Sequence, residues 1–179
     1  MGGWRWSCYG LNPAKGWRVT ETERPSHPYL YQINVSDGGV PKRPVPEAMI
    51  AKTGVEGDRQ QNLKVHGGPD RAVCLFSRDL LERLQAEGHP IKAGSSGENL
   101  TLAGLEWGLM KPGALFSIGK DVQLEVTSYT VPCRYNAQWF QEGDYQRICQ
   151  IKNPGWSRVY AKVLRAGVVR PGDVVEVKS

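Results

Sequence analysis

Cys133 stands in the run Thr130-Val131-Pro132-Cys133-Arg134, directly after the most regular strand pattern in the chain. Proline fixes the backbone ahead of the thiol. The adjacent arginine favours its thiolate form. A thiolate mounted in this way is a plausible ligand for a soft metal. The plainer reading of any cysteine is a small buried hydrophobe. That reading suits Cys74, inside the apolar run Ala72-Val-Cys-Leu-Phe76, better than it suits Cys133. Cys8 and Cys149 have no supporting motif around them.

Three loops carry further polar chemistry. In Thr53-Gly-Val-Glu-Gly-Asp-Arg-Gln60, the glycines permit sharp turns. Asp58 and Arg59 then offer an acceptor and a planar fork of donors. A turn closed by their ion pair is the competing reading. In Val65-His-Gly-Gly-Pro-Asp-Arg-Ala-Val73, Gly67 and Gly68 can present backbone N–H groups to an anion. His66, Asp70 and Arg71 surround them, although a hairpin whose histidine caps a carbonyl would look the same. In Gly94-Ser-Ser-Gly-Glu-Asn-Leu-Thr-Leu-Ala-Gly104, Glu98 and Asn99 sit at the entrance of a strand. An asparagine amide both donates and accepts, which suits the edge of a heterocycle. Taken alone, this segment reads better as an ordinary loop.

Other chemistries lack their motifs. No C-x-x-C pair is present, which argues against a zinc ribbon or a cysteine-held iron–sulfur cluster. Histidines occur only at 27, 66 and 89, and neither G-x-S-x-G nor H-E-x-x-H occurs. The glycine loops match neither a Walker A nor a dinucleotide fingerprint. The balance of 23 basic and 18 acidic residues gives a net charge of +5. The basic residues are scattered, so nucleic acid is an unlikely partner.

These residues need a scaffold, and 179 residues are enough for one domain with a substantial core. Residues 1–28 hold three of the six tryptophans with no clear period, and read as an irregular extension. Residues 29–179 read as the domain. Strands are predicted at 29–35, 42–45, 72–76, 99–102, 114–118, 122–126 and 174–177. Val122, Leu124 and Val126 alternate strictly. Ser77 is the predicted cap of a helix bearing Leu80, Leu81 and Leu84, with Gly88 as its stop. Residues 137–149 are compatible with a helix capped by Asn136. Residues 156–164 satisfy both helical and strand periods. The 21 glycines and 12 prolines imply many turns and a small, mostly-β barrel. No apolar run spans a membrane, and no signal-peptide stretch opens the chain. The cysteine pattern favours a reducing, cytoplasmic location.

Taken in order, these runs resemble the MOSC domain, the family named for the C-terminal part of molybdenum-cofactor sulfurases. The matching segments are Gly38-Gly-Val-Pro-Lys-Arg-Pro44, Gly54-Val-Glu-Gly-Asp-Arg-Gln60, His66-Gly-Gly-Pro-Asp-Arg-Ala-Val73, Gly97-Glu-Asn-Leu-Thr101, Pro132-Cys133, and Gly155-Trp-Ser-Arg-Val159 through Gly172-Asp173. The small stand-alone bacterial members, some of which detoxify N-hydroxylated purines, look most similar. The resemblance implies a β-barrel like the barrel domain of pyruvate kinase, with a few short helices. It therefore favours a strand at 156–164. It implies a molybdopterin-type molybdenum cofactor with Cys133 as metal ligand and catalytic residue. It places Asp58, Arg59, Lys64, His66, Arg71, Glu98 and Asn99 around the pterin and its phosphate, and Gly67, Gly68 and Asp70 join them from the reading of their own loop. Arg134 is added on charge grounds alone.

The activity this implies is reduction of an N-hydroxylated base analogue, such as hydroxylaminopurine, or of an amidoxime. The sequence carries no flavin motif and no iron–sulfur ligand set, so a separate reductase is the expected electron donor. The alternative is a sulfur carrier, with a Cys133 persulfide serving metal–sulfur cofactor assembly. The purine-detoxifying members tend to have an added C-terminal helical region, which this sequence does not match, so the resemblance leaves the substrate open.

Overall fold

The computed structural model describes residues 25–59 and 67–178. Most of the expected N-terminal extension therefore lies outside the described residues.

Among the described residues, eleven strands and one α-helix form, besides short 3-10 turns: β1 (Tyr29–Val35), β2 (Arg43–Val45), β3 (Ala48–Ala51), β4 (Gly54–Val55), β5 (Val73–Ser77), α1 (Arg78–Ala86), β6 (Leu100–Ala103), β7 (Leu115–Ile118), β8 (Val122–Tyr129), β9 (Val159–Arg165), β10 (Gly167–Val169) and β11 (Val175–Lys178). The period-2 pattern of β8 turns Val122, Leu124 and Val126 into the core. Its antiparallel partner β9 does the same with Val159, Ala161 and Val163. Alternation thus wins over the helical period at 156–164, because β8 and β5 flank this segment on both sides.

The main sheet has eight strands in the order β11-β7-β8-β9-β5-β6-β1-β2. A smaller sheet runs β10-β3-β4. The large sheet does not close by a full ladder. One bridge, Tyr29 to Val174, joins the start of β1 to the approach of β11. Three backbone bonds reinforce it: Leu30 N–H to the Asp173 carbonyl (2.8 Å), Gly172 N–H to the Leu30 carbonyl (2.8 Å) and Val175 N–H to the Pro28 carbonyl (2.9 Å).

β5 and β6 pair in parallel, which requires a crossover between them. α1 supplies it. Leu80 N–H donates to Ser77 Oγ at 3.2 Å, the expected cap. Leu80, Leu81 and Leu84 are buried, and Gly88 follows at φ +93°. β5 is buried along its whole length, as expected for a strand inside a sheet and under a helix.

The helix expected at 137–149 does not form. Three 3-10 turns occupy this region, at Arg134–Trp139, Gln141–Gly143 and Tyr145–Ile148. Glu142 at φ +55° and Gly143 at φ +71° interrupt any continuous α-helix. Asn136 lies inside the first turn and is not a cap. β3, β4 and β10 escaped the sequence reading because they are short and made only of apolar residues and glycine, so no polar–apolar alternation marks them. Among the described residues, no helix is long and apolar enough to cross a membrane.

A clamp holds these turns to α1. Arg147 donates to both carboxylate oxygens of Glu87, at 2.8 and 2.7 Å. The Trp156 ring stacks against Arg147 at 3.5 Å and Arg83 at 4.6 Å. The hydrogen bonds from Arg147 hold the Glu87 carboxyl below its ordinary pKa. A lowered carboxyl stabilises the fold above its ordinary pKa, and this contribution is lost as pH falls through the lowered value. Glu87→Gln is therefore expected to cost less than about 1 kcal/mol near neutral pH, since the pair is partly solvated. Denaturation curves of wild type and variant should converge in acid. A gap that stays constant into acid would show that the charge is not the cause.

Candidate functional site

A cavity of about 800 Å³ opens at one end of the main sheet. The C-terminal ends of β1 and β8 and the N-terminal ends of β5, β6 and β9 converge there. Segments distant in sequence therefore share one wall. Cys133 comes from beyond β8, Arg71 and Cys74 from the start of β5, Asn99 from the entry to β6, and Arg158 from the entry to β9.

Cys133 is half-buried in this wall. Its carbonyl accepts the Asn136 N–H at 2.9 Å, which anchors the turn Arg134–Trp139 to it. Arg134, its neighbour in sequence, is exposed and lies 5.7 Å from the Tyr135 ring centroid. It is not part of the cavity wall. The guanidinium deepest in the wall is that of Arg158, which is 6% exposed. Its terminal nitrogen donates to the Ser96 carbonyl. Its Nε is buried and, among the described residues, has no hydrogen-bond partner. Buried polar atoms are normally paired, and exceptions need an explanation.

Asp58 lies behind the cavity rather than in its lining. Its carboxylate accepts the Ser36 N–H at 2.9 Å, the Asn99 side-chain N–H at 2.9 Å, and a bond from the Lys42 ammonium. The Lys42 and Asp58 side chains are only 10% and 3% exposed. Asn99 spends its whole amide on the scaffold. Its Oδ1 accepts the Cys74 N–H at 3.2 Å, and its Nδ2 also reaches the Asn34 carbonyl at 3.3 Å. Glu98 is fully buried outside the lining. It accepts from Gly94 N–H at 2.6 Å and Ser96 Oγ at 2.7 Å, tightening the loop whose Ser96 carbonyl holds Arg158. Gly94 has φ +83° there, and a Cβ would overlap the Lys42 carbonyl oxygen.

Arg59 lines the mouth and grips Asp37, through its carbonyl at 2.7 Å and its carboxylate at 2.8 Å. Arg71 lines the wall near the Tyr160 ring, 5.9 Å from its centroid. Gly67, Gly68 and Asp70 lie outside the lining. Gly68, at φ +80°, leads into the turn Pro69–Arg71, and the Asp70 carbonyl accepts the Thr127 hydroxyl at 2.5 Å. Lys64 and His66 fall outside the described residues.

The sequence reading left Lys42, Cys74, Asn136, Arg158 and Tyr160 without a site role, and all five line the cavity. Arg158 stood inside the quoted run Gly155-Trp-Ser-Arg-Val159, which was the available signal. Burial pushes the Cys74 thiol up, against the opposing pull of Arg158. Burial, followed by the nearby Cys74, likewise raises Tyr160 well above the usual phenol range. Burial thus favours the neutral form of both groups. Among the described residues, no cluster of three or more His, Cys, Asp or Glu side chains could hold a metal ion.

A family model described as the MOSC domain matches residues 62–176. The uncharacterized protein YflK of Bacillus subtilis (strain 168) is 34% identical over 149 residues, 79% of this chain and 63% of that protein. A protein named reductase from Gibberella moniliformis is 29% identical over 130 residues, 70% of this chain and 22% of its own length. This chain thus spans less than two thirds of either relative. The crystal structure of YiiM from Geobacillus stearothermophilus superposes with a TM-score of 0.64 at 26% identity, covering 85% of this chain and 75% of that one.

Proposed function

The chain belongs to the MOSC domain family, and from that premise we propose that it binds a molybdopterin-type molybdenum cofactor and reduces N-hydroxylated substrates, with Cys133 as a metal ligand. The observation that carries this reading is a single half-buried thiol in the wall of a large cavity that is also lined with arginines. With no cluster of three protein ligands among the described residues, a metal here would bring most of its ligands with it. A cofactor that chelates its own metal through sulfur meets that requirement, and a thiolate is a matching soft ligand.

The cavity also fits the rest of such a group. Arg59, Arg71 and Arg158 offer planar donors to a phosphate. Among the described residues, the Nε of Arg158 has no partner, so they do not saturate its guanidinium. Asp58 and Glu98 act one layer back, holding the loops that carry Ser36, Ser96 and Asn99.

When bound, the cofactor supplies the two-electron chemistry that cleaves the N–O bond. The balance is R–NH–OH plus two electrons and two protons, giving R–NH2 and water. The chain's own part is to hold the cofactor, orient the substrate beside Cys133 and restrict water. The electrons come from a separate reductase, and a protein named reductase among the relatives is in keeping with such chemistry.

The test is metal and pterin analysis of protein purified from a cofactor-producing host, paired with reduction of hydroxylaminopurine and an amidoxime. Near-stoichiometric molybdenum and pterin, with formation of the amine, is the expected result. Protein lacking both but carrying cyanide-labile sulfur on Cys133 would replace this reading with that of a sulfur carrier.

A further inference from the structure

We propose that Asn136 reads the substrate, pairing its amide with the N–H and the adjacent unprotonated nitrogen of an N–C=N edge. This rests on the function proposed above and names the part of the substrate that is recognised. Asn136 is 2% exposed and lines the cavity. Its backbone is tied to the Cys133 carbonyl at 2.9 Å, so its side chain is held close to the thiol-bearing segment. Among the described residues, none hydrogen-bonds its side-chain amide. Its amide atoms are not among the buried polar atoms that lack a partner, so the amide is open to the cavity rather than sealed in the core.

The other amides in the wall are engaged by the protein. The Asn99 amide is saturated by Cys74, Asn34 and Asp58. The Gln138 amide nitrogen donates to the Tyr135 carbonyl at 3.1 Å. Arg158 can only donate. Asn136 therefore brings both a donor and an acceptor to the cavity. An amide recognises a neighbouring N–H and ring nitrogen in a two-point pair, as asparagine does with the edge of adenine. An amidoxime or a 6-hydroxylaminopurine presents this edge at the nitrogen that bears the hydroxyl. The amine left after reduction keeps the edge, so the product is a binding probe that does not depend on turnover.

The experiment is calorimetry on the full-length, cofactor-loaded protein with adenine and with purine, which lacks the exocyclic amine. Asn136→Ala is expected to weaken adenine by about tenfold or more, the size of a lost two-point pair. Its affinity for purine and its molybdenum and pterin content should not change. Asn136→Asp, which keeps the acceptor and loses the donor, should also weaken adenine, and it serves if the alanine variant fails to fold. Equal losses for adenine and purine, no loss for either, or no binding of adenine by the wild type would each overturn the proposal. Loss of pterin in either variant would also overturn it, by assigning the amide to the cofactor. If Asn136-dependent adenine binding persists in a protein that reduces no N-hydroxylated compound, the proposed reaction fails and the recognition stands.

Discussion

Cys133→Ser is expected to abolish reduction of N-hydroxylated substrates and to leave the purified protein depleted of molybdenum. Disturbing the outer partners of a metal ligand costs about 10–100-fold, so losing the ligand itself should exceed about 100-fold. Serine is nearly isosteric, but its oxygen is harder and far less acidic than the thiol it replaces. The fold should survive, because Cys133 is only half-buried and follows the end of β8 rather than forming part of it. The comparison therefore needs three measurements on one preparation: turnover, metal content and thermal midpoint. A variant that keeps its metal and more than a tenth of its rate would show that the thiol is not a ligand. Depletion of metal with pterin retained would show that the arginines hold the organic part by themselves.

The largest expected loss of stability lies behind the cavity, at Asp58. Asp58→Ala removes the acceptor of three donors at once and strands the Lys42 ammonium, whose side chain is 10% exposed. Breaking a buried pair from one side costs about 3–5 kcal/mol, because the remaining charge is left without compensation. In a chain of this size that is a fall in Tm of roughly 6–20 °C. Removing both charges together, as Lys42→Met with Asp58→Leu, should recover part of the loss, since no lone charge is then buried. Chemical denaturation of the two single variants and the double variant measures this coupling. If the single variants lose less than about 1 kcal/mol, the pair behaves as a solvated one.

The two residues test different layers of one site. Cys133 faces the cavity, whereas Asp58 joins β1, Lys42 and the entry to β6 from behind. The sequence does not separate these layers for Asp58, because a charged residue in a glycine loop reads alike whether it faces a ligand or a neighbouring loop. Glu98 shows the same ambiguity. Its carboxylate looked available, and in the fold it is fully buried on Gly94 and Ser96. Asn99 carries the donor and acceptor that suit a heterocycle edge. The fold spends both on the scaffold and leaves Asn136, a residue whose sequence position suggests a helix cap, in the cavity lining.

What the sequence by itself determined is what local pattern can encode. The alternation of Val122, Leu124 and Val126, the Ser77 cap, the leucine face of α1 and the stop at Gly88 each depend on a few neighbouring residues. The ordered loop motifs determined the family, because their succession along the chain is itself a linear property. Only the tertiary structure decided which side chains meet. Cys74 and Asn99 are 25 residues apart, and Arg158 and Ser96 are 62 apart. These contacts arise from the register of β5, β6 and β9 at one end of the sheet. No local period carries that register. It is set by packing the whole core at once, and that packing turns one of two chemically equivalent asparagines into scaffold and the other toward the cavity.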